Sequence, residues 1–343
     1  MNVQAVEHLP GRRAFIRPGV LLTRSPVAAE RWTQSAERAG DLFELHLTPG
    51  ADPCEIAAAL RERGVDASPN HVVTGQPLFF GGPTGAPRPA PPPRHAAGEP
   101  SRVTVAVLDT GLAPHPWFRD ADWFAGQPGE VPDADGDGLL DAQAGHGTFI
   151  AGLLLRQAPG TRLRVARVLD GNGVGDEAGV LRALGVLRDT HVDVLVLSFG
   201  CHTYDDLPSP LVERALGAFP HTVVVACAGN TGSSRPFWPA ALPGVIAVAA
   251  LDAAGSGRAR FSAYGPWVDA CARGEDLTST FVDFHPFDGY AMWSGTSFAT
   301  AVVAGAIASA ARHMSAQEAA RHVLQSAGAG RFPDLGVHVP GPR

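Results

Sequence analysis

Five apolar runs of strand length recur through the middle of the chain: VTVAVL (103–108), LRVARV (163–168), VDVLVLS (192–198), TVVVAC (222–227) and GVIAVAA (244–250). Helical stretches separate most of them. Near-continuous apolar strands that alternate with helices predict a parallel sheet with helices on both faces, because such strands have no polar side to turn to water. A sheet of this kind gathers its functional groups at the carboxyl ends of the strands.

A smaller pattern precedes it. GVLLTR and LFELHL read as strands, VAAERWTQSAER and PCEIAAALRERG as amphipathic helices, and an extended piece follows around HVV. Residues 1–80 are therefore expected to form a small α/β domain. Residues 83–100 carry seven prolines and almost no bulky apolar side chain, so 81–100 reads as an extended, semi-rigid linker. The main α/β domain is expected over 101–330, and 331–343 reads as an irregular tail.

Composition adds little to this outline except exclusions. At 343 residues and 45% hydrophobic the chain can bury one large core with a smaller companion. A formal net charge of -7 without a basic stripe argues against nucleic acid as a partner. The first residues lack the apolar run of a secretory signal and no stretch approaches a membrane span, so a cytoplasmic protein with no membrane partner is expected. Cys54, Cys201, Cys227 and Cys271 form no CxxC or Cys/His metal spacing and read as free thiols; a bridge between two of the last three is the alternative.

Four polar residues stand out by their surroundings. Asp109 follows VTVAVL directly, where a buried strand breaks into a turn; a carboxylate there can orient an imidazole, or simply cap the turn. His146 lies between two glycines in GHGTFIAGLLL. Ser297 begins SFATAVVAGAIASA, a helix so uniformly small and apolar that it must run through a core. The helix start offers its positive end and free N–H groups to a developing oxyanion. Asn230 ends VVVACAGN, with an amide able to donate at the same sheet edge. Singly, each is an ordinary turn or cap residue. Together, in the order Asp, His, Asn, Ser and each in a glycine-bearing context, they point to nucleophilic catalysis.

With VAVLDTG around Asp109, GHGTFIAG around His146, VVVACAGN around Asn230 and GTSFATA around Ser297, the chain resembles the subtilase family over residues 101–325. The resemblance implies a subtilisin-like serine endopeptidase. Ser297 would be the nucleophile, His146 the general base and Asp109 its orienting carboxylate, with Asn230 as the side-chain oxyanion donor. It further implies that Gly173, Val174 and Gly175 on one side, and Ser198, Phe199 and Gly200 on the other, bind an extended polypeptide substrate by strand addition. Cys227, Ala228 and Gly229 would also bind substrate. Phe237 falls near the expected floor of the main specificity pocket, which implies a shallow site for small or medium apolar side chains. Ala301 departs from the proline common in the family.

Asp133, Asp135, Asp137 and Asp141 match the start of a calcium loop, but position 12 is Ala144 rather than Glu, so an EF-hand is not expected. The loop reads either as a Ca2+ site or as a solvated acidic turn; the chemistry itself requires no cofactor. The N-terminal α/β pattern resembles the propeptides that subtilases carry. This implies an inhibitor made from the chain's own N-terminal segment, with self-cleavage between residues 72 and 100, or else a permanent accessory domain. A catalytically silent peptide-binding module on the same fold is the alternative function.

Overall fold

The computed structural model describes residues 2–75, 84–95, 98–326 and 330–341. The chain forms two compact units. One comprises Met1–Val73, Gly175–Thr190 and Cys201–Pro220, the other Thr74–Val174, His191–Gly200 and His221–Arg343.

The first unit is built on an antiparallel sheet in the order Thr33–Ala39, Leu42–Leu47, Arg12–Thr23 and Ala67–Thr74, with Gln4–Leu9 paired to Arg12–Thr23. Successive side chains of a strand face opposite ways, and both faces of Arg12–Thr23 are used. Leu21 packs with Leu45, Ile56 and Leu60, while Val20 and Leu22 pack with Ala178, Leu181 and Leu211. That second face is why Glu177–Leu187 and Pro210–Gly217, distant in sequence, belong to this unit. Pro53–Arg61 is helical as expected, capped by Asp52, whose side chain accepts from the N–H groups of Cys54 and Glu55.

The stretch VAAERWTQSAER is not the expected helix. Pro26–Trp32 is a short 3-10 helix, and Thr33–Ala39 is a strand that turns at Gly40 (φ 65°) and pairs with Leu42–Leu47. Hairpin pairing with an adjacent strand overrides the local helical spacing.

Within this unit lies a closed polar cluster. The buried Glu177 carboxylate faces His71 Nδ1 at 2.8 Å and accepts from the Ser68 hydroxyl at 3.0 Å and from the Ser209 hydroxyl. A buried carboxylate is tolerated only with such partners.

The second unit is a mixed α/β body around an eight-stranded sheet, in the order Arg331–Phe332, Gly336–His338, Ala270–Arg273, Val245–Leu251, Val223–Cys227, Val194–Leu197, Thr104–Asp109 and Arg162–Arg167. All neighbours are parallel except the first pair. All five apolar runs thus form strands of this sheet. In the stretch 331–343, expected as an irregular tail, Gly336–His338 pairs with the backbone of Ala270–Cys271 and Arg331–Phe332 pairs outside it as the edge strand.

Register sets the site. Leu197 lies level with Leu108 on one side and with Ala226 on the other, so Asp109, Ser198 and Cys227 leave the sheet at one edge. The helices His146–Gln157 and Thr296–Ala310 pack together through Phe149, Leu153, Phe298 and Val302. A smaller antiparallel sheet joins Leu277–Phe284 to Phe287–Trp293, and Arg88–Pro89 of the proline-rich stretch adds to its edge. Among the described residues no helix is long and apolar enough to cross a membrane. Cys54, Cys227 and Cys271 are buried free thiols, and Cys201 forms no disulfide.

Candidate active site

Asp109 closes its strand and is fully buried. Its Oδ1 accepts from the Thr110 N–H at 2.8 Å and lies 2.8 Å from His146 Nδ1. His146 is the first residue of its helix. The glycine after it is compulsory for the close approach: a Cβ on Gly147 would lie 2.2 Å from the Gly111 carbonyl oxygen and 3.3 Å from Asp109 Oδ1. The imidazole is walled by Trp293 and Phe298, with ring centroids at 5.6 and 5.3 Å. Its Nε2 is buried and has no hydrogen-bond partner among the described residues. With Nδ1–H donated to a carboxylate, Nε2 is the basic nitrogen, as a general base requires.

Ser297 is the second residue of Thr296–Ala310, at the end where helix N–H groups are unsatisfied. Its hydroxyl lies 3.1 Å from the Ser198 carbonyl and 3.4 Å from that of Gly75, and it is not hydrogen-bonded to His146. Such contacts are commonly loose before a reacting group arrives.

Asn230 is oriented by Thr296, a residue the sequence reading passed over although it stands in the GTS motif. The Asn230 Oδ1 accepts from both the N–H and the hydroxyl of Thr296, each at 2.9 Å. A backbone N–H can only donate, so the amide cannot be turned round, and Nδ2, buried and without a partner among the described residues, is left to donate. Cys227, beneath this turn, has its thiol pushed up to about 12 by burial, against hydrogen bonds to Ser297 and Thr296 that lower it. It is a neutral spacer with no nucleophilic character.

Thr74 and Gly200 exchange backbone hydrogen bonds at 3.0 and 3.1 Å, and the Gly75 N–H donates to the Gly173 carbonyl at 3.0 Å. An extended piece of the chain itself therefore lies between the Gly173 and Ser198–Gly200 segments. A Cβ on Gly75 would lie 3.0 Å from Leu169 Cδ1 and 3.7 Å from His146 Cε1. Leu169 carries no motif that would have exposed its role.

Val174, Phe199 and Ala228 are buried, and the Phe199 side chain is among the largest fully enclosed ones; these residues offer the groove backbone only. Gly175 falls in the other compact unit. Phe237 is buried, and its ring lies where side chains on Gly200 and Gly229 would have to go, with added Cβ atoms at 2.5 and 2.9 Å from it.

Of the acidic loop, Asp133, Asp135 and Asp141 bring one carboxylate oxygen each within 4.8 Å of one another. Asp137 does not join them; its Oδ1 accepts from the Leu139 N–H at 2.8 Å. Asp133 is held below the usual carboxylate range by the N–H of Gly138 and further loop amides, while burial and the neighbouring Asp135, Asp133 and Asp170 raise Asp141.

A family model described as the subtilase family matches residues 101–338. The chain is 37% identical over 214 residues to a thermophilic serine proteinase of a Bacillus species, covering 59% of this chain and 50% of the relative. It is 36% identical over 213 residues to a thermostable alkaline protease of Halalkalibacterium halodurans (60% and 55%), and 34% identical over 219 residues to Subtilisin Savinase of Lederbergia lenta (61% and 76%). The chain thus spans about half the length of the first two. In fold it is similar to a lanthipeptide protease (TM-score 0.58, 22% identity, 70% of this chain and 85% of that one) and to the protease domain of PatA (0.57, 24%, 70% and 93%).

Proposed function

The chain belongs to the subtilase family, and we propose that it is a serine endopeptidase made as a precursor that its own N-terminal segment inhibits. Ser297 Oγ attacks the scissile carbonyl and His146 Nε2 takes its proton. Asp109 holds the imidazole in the tautomer that leaves Nε2 basic and stabilises the imidazolium that forms. Asn230 Nδ2 and the N–H groups at the helix start bind the oxyanion.

The observation that carries this reading is the seating of Thr74–Gly75. An extended segment pairs with Gly200 and Gly173 and brings the Gly75 carbonyl to 3.4 Å from Ser297 Oγ, so the groove beside the hydroxyl accepts polypeptide backbone. Along an extended strand, successive N–H groups point to opposite sides. Thr74 bonds the Gly200 side and Gly75 the Gly173 side.

Phe237 limits the residue acylated. A ring packed onto Gly200 and Gly229 leaves room for small and medium side chains. The chemistry needs no cofactor in this reading; Asp133, Asp135 and Asp141 are the hard oxygen ligands that would share a Ca2+.

The test compares the wild-type chain with Ser297→Ala by intact mass and reaction with a fluorophosphonate. The wild type labels at Ser297 and loses its N-terminal segment, and the variant does neither. A wild type that never labels, even after limited proteolysis, would sink the endopeptidase reading and leave the peptide-binding alternative. One that labels yet stays whole would sink the precursor reading alone.

A further inference from the structure

One acidic side chain close to the Asp109–His146 pair has no part in the reaction as described. The Leu112 N–H donates to the Pro128 carbonyl at 2.9 Å, which lays residues 128–130 beside the turn after Asp109. Residue 130 is half-buried, but Oε2 of the Glu130 carboxyl is closed off from solvent. Its Oε1 lies 2.6 Å from Thr110 Oγ1, which is itself 3.3 Å from Asp109 Oδ1. The same Thr110 oxygen accepts the Gly147 N–H at 3.0 Å.

A hydroxyl has one proton and two lone pairs. One lone pair of Thr110 is committed to Gly147, so Asp109 and Glu130 compete for the single proton. An ionised Glu130 takes it, since 2.6 Å is the length of a charge-assisted O–H···O bond. A protonated Glu130 donates its own proton to the second lone pair, and the Thr110 hydroxyl then turns to Asp109. Asp109 Oδ2 is buried without a partner among the described residues, so this hydroxyl is the one side-chain donor besides His146 that bears on the Asp109 carboxylate there.

We propose that Glu130 is a positioning residue of the triad, whose protonation is passed through the Thr110 hydroxyl to Asp109 and so sets the basicity of His146. Ionised Glu130 strips Asp109 of a donor and adds a second negative charge near the imidazole, and both stabilise the imidazolium of the transition state. Neutral Glu130 does the reverse. The groups that bear on Glu130 are the Asp109 carboxylate, the His146 ring, the Thr110 hydroxyl and the Gly145 N–H. Burial, with the Asp109 charge adding to it, pushes Glu130 up to about 7 against the pull of Thr110, His146 and Gly145. The exchange therefore falls near neutral pH.

The inference rests on the endopeptidase reading for its kinetic consequence but not for its electrostatic one, so two readouts are taken on the full-length chain. In Glu130→Gln, kcat on a peptide substrate above pH 8 falls roughly 3- to 10-fold with KM unchanged, the size of one nearby charge lost from a partly buried site. The NMR titration midpoint of the His146 ring moves to lower pH by about 0.3 to 1 unit, whether or not the protein turns over. Thr110→Val removes the shared hydroxyl and so the link between the two carboxyls, so Glu130→Gln moves the midpoint less in the Thr110→Val background than in the wild type, and Thr110→Ser restores the full effect because it restores the hydroxyl. If Glu130→Gln leaves the His146 midpoint where it was, or moves it as far with Thr110→Val as without it, the inference is wrong even in an active enzyme. If Glu130→Gln moves the midpoint while the wild type never labels with fluorophosphonate, it is the endopeptidase reading that fails. Should Glu130→Gln not fold, Thr110→Val and Thr110→Ser decide alone: the step that protonation of Glu130 near pH 7 imposes on the His146 ring signal shrinks in the first and persists in the second, and an equal step in both overturns the inference.

Discussion

Thr296 holds Asn230 by its side-chain carbonyl, through a backbone N–H and a hydroxyl both at 2.9 Å, and so frees Nδ2 for an oxyanion. The donor and the nucleophile are thereby fixed by adjacent residues of one helix start. Asn230→Leu is expected to lower kcat by ~10²–10³ with little change in KM, because the donor acts only once charge develops. Thr296→Val, which keeps the N–H but not the hydroxyl, should cost about tenfold or less. Steady-state kinetics on one peptide would show the order; equal effects on KM would mean that Asn230 binds substrate rather than the transition state.

Phe237 makes a separate claim about selectivity. Phe237→Ala should enlarge the pocket bounded by Gly200 and Gly229 and admit large apolar or aromatic residues before the cut bond. Cleavage of a peptide mixture, read by mass spectrometry, gives the preference before and after. Unchanged preference would place the selecting residue elsewhere.

In the precursor reading Thr74 and Gly75 hold the N-terminal segment by backbone alone, and the rate of fluorophosphonate labelling of the uncleaved chain measures how firmly. Thr74→Pro removes the N–H given to Gly200 and should weaken inhibition without touching the catalytic groups.

Glu130 also makes stability depend on pH in a defined direction. Its folded value, about 7, lies above the ordinary carboxyl value of 4.5, so the folded chain binds the extra proton more tightly than the unfolded one. The group's contribution is therefore complete below about pH 4.5 and is lost as pH rises through about 7. Glu130→Gln should raise the midpoint of thermal unfolding at pH 8 and change it little at pH 5. A variant destabilised equally at both would show that Glu130 is held as a needed ion.

The residues of the candidate site stood out in the sequence because each sits in a local pattern tied to its backbone. The glycine after His146 is one, since any side chain there would strike Gly111. The parallel strands were legible for a similar reason: chains buried on both faces leave continuous apolar runs. What escaped was set by distance along the chain. Thr33–Ala39 has helical spacing but is captured by Leu42–Leu47. Glu177–Leu187 follows a catalytic-domain strand in sequence yet packs on Val20 and Leu22. Glu130 sits in a polar loop with no motif, and nothing short of the fold brings it to Thr110.

The helix Thr296–Ala310 is sunk in apolar neighbours along nearly its whole length, so Ser297 stands on a pillar with no outer surface to fray. Its amides should be among the last to trade hydrogen for deuterium. On warming, loops and edges would loosen while the nucleophile stayed in register. Heat would then end activity as a cliff, at the temperature where the whole sheet gives way, rather than by gradual wear at the site.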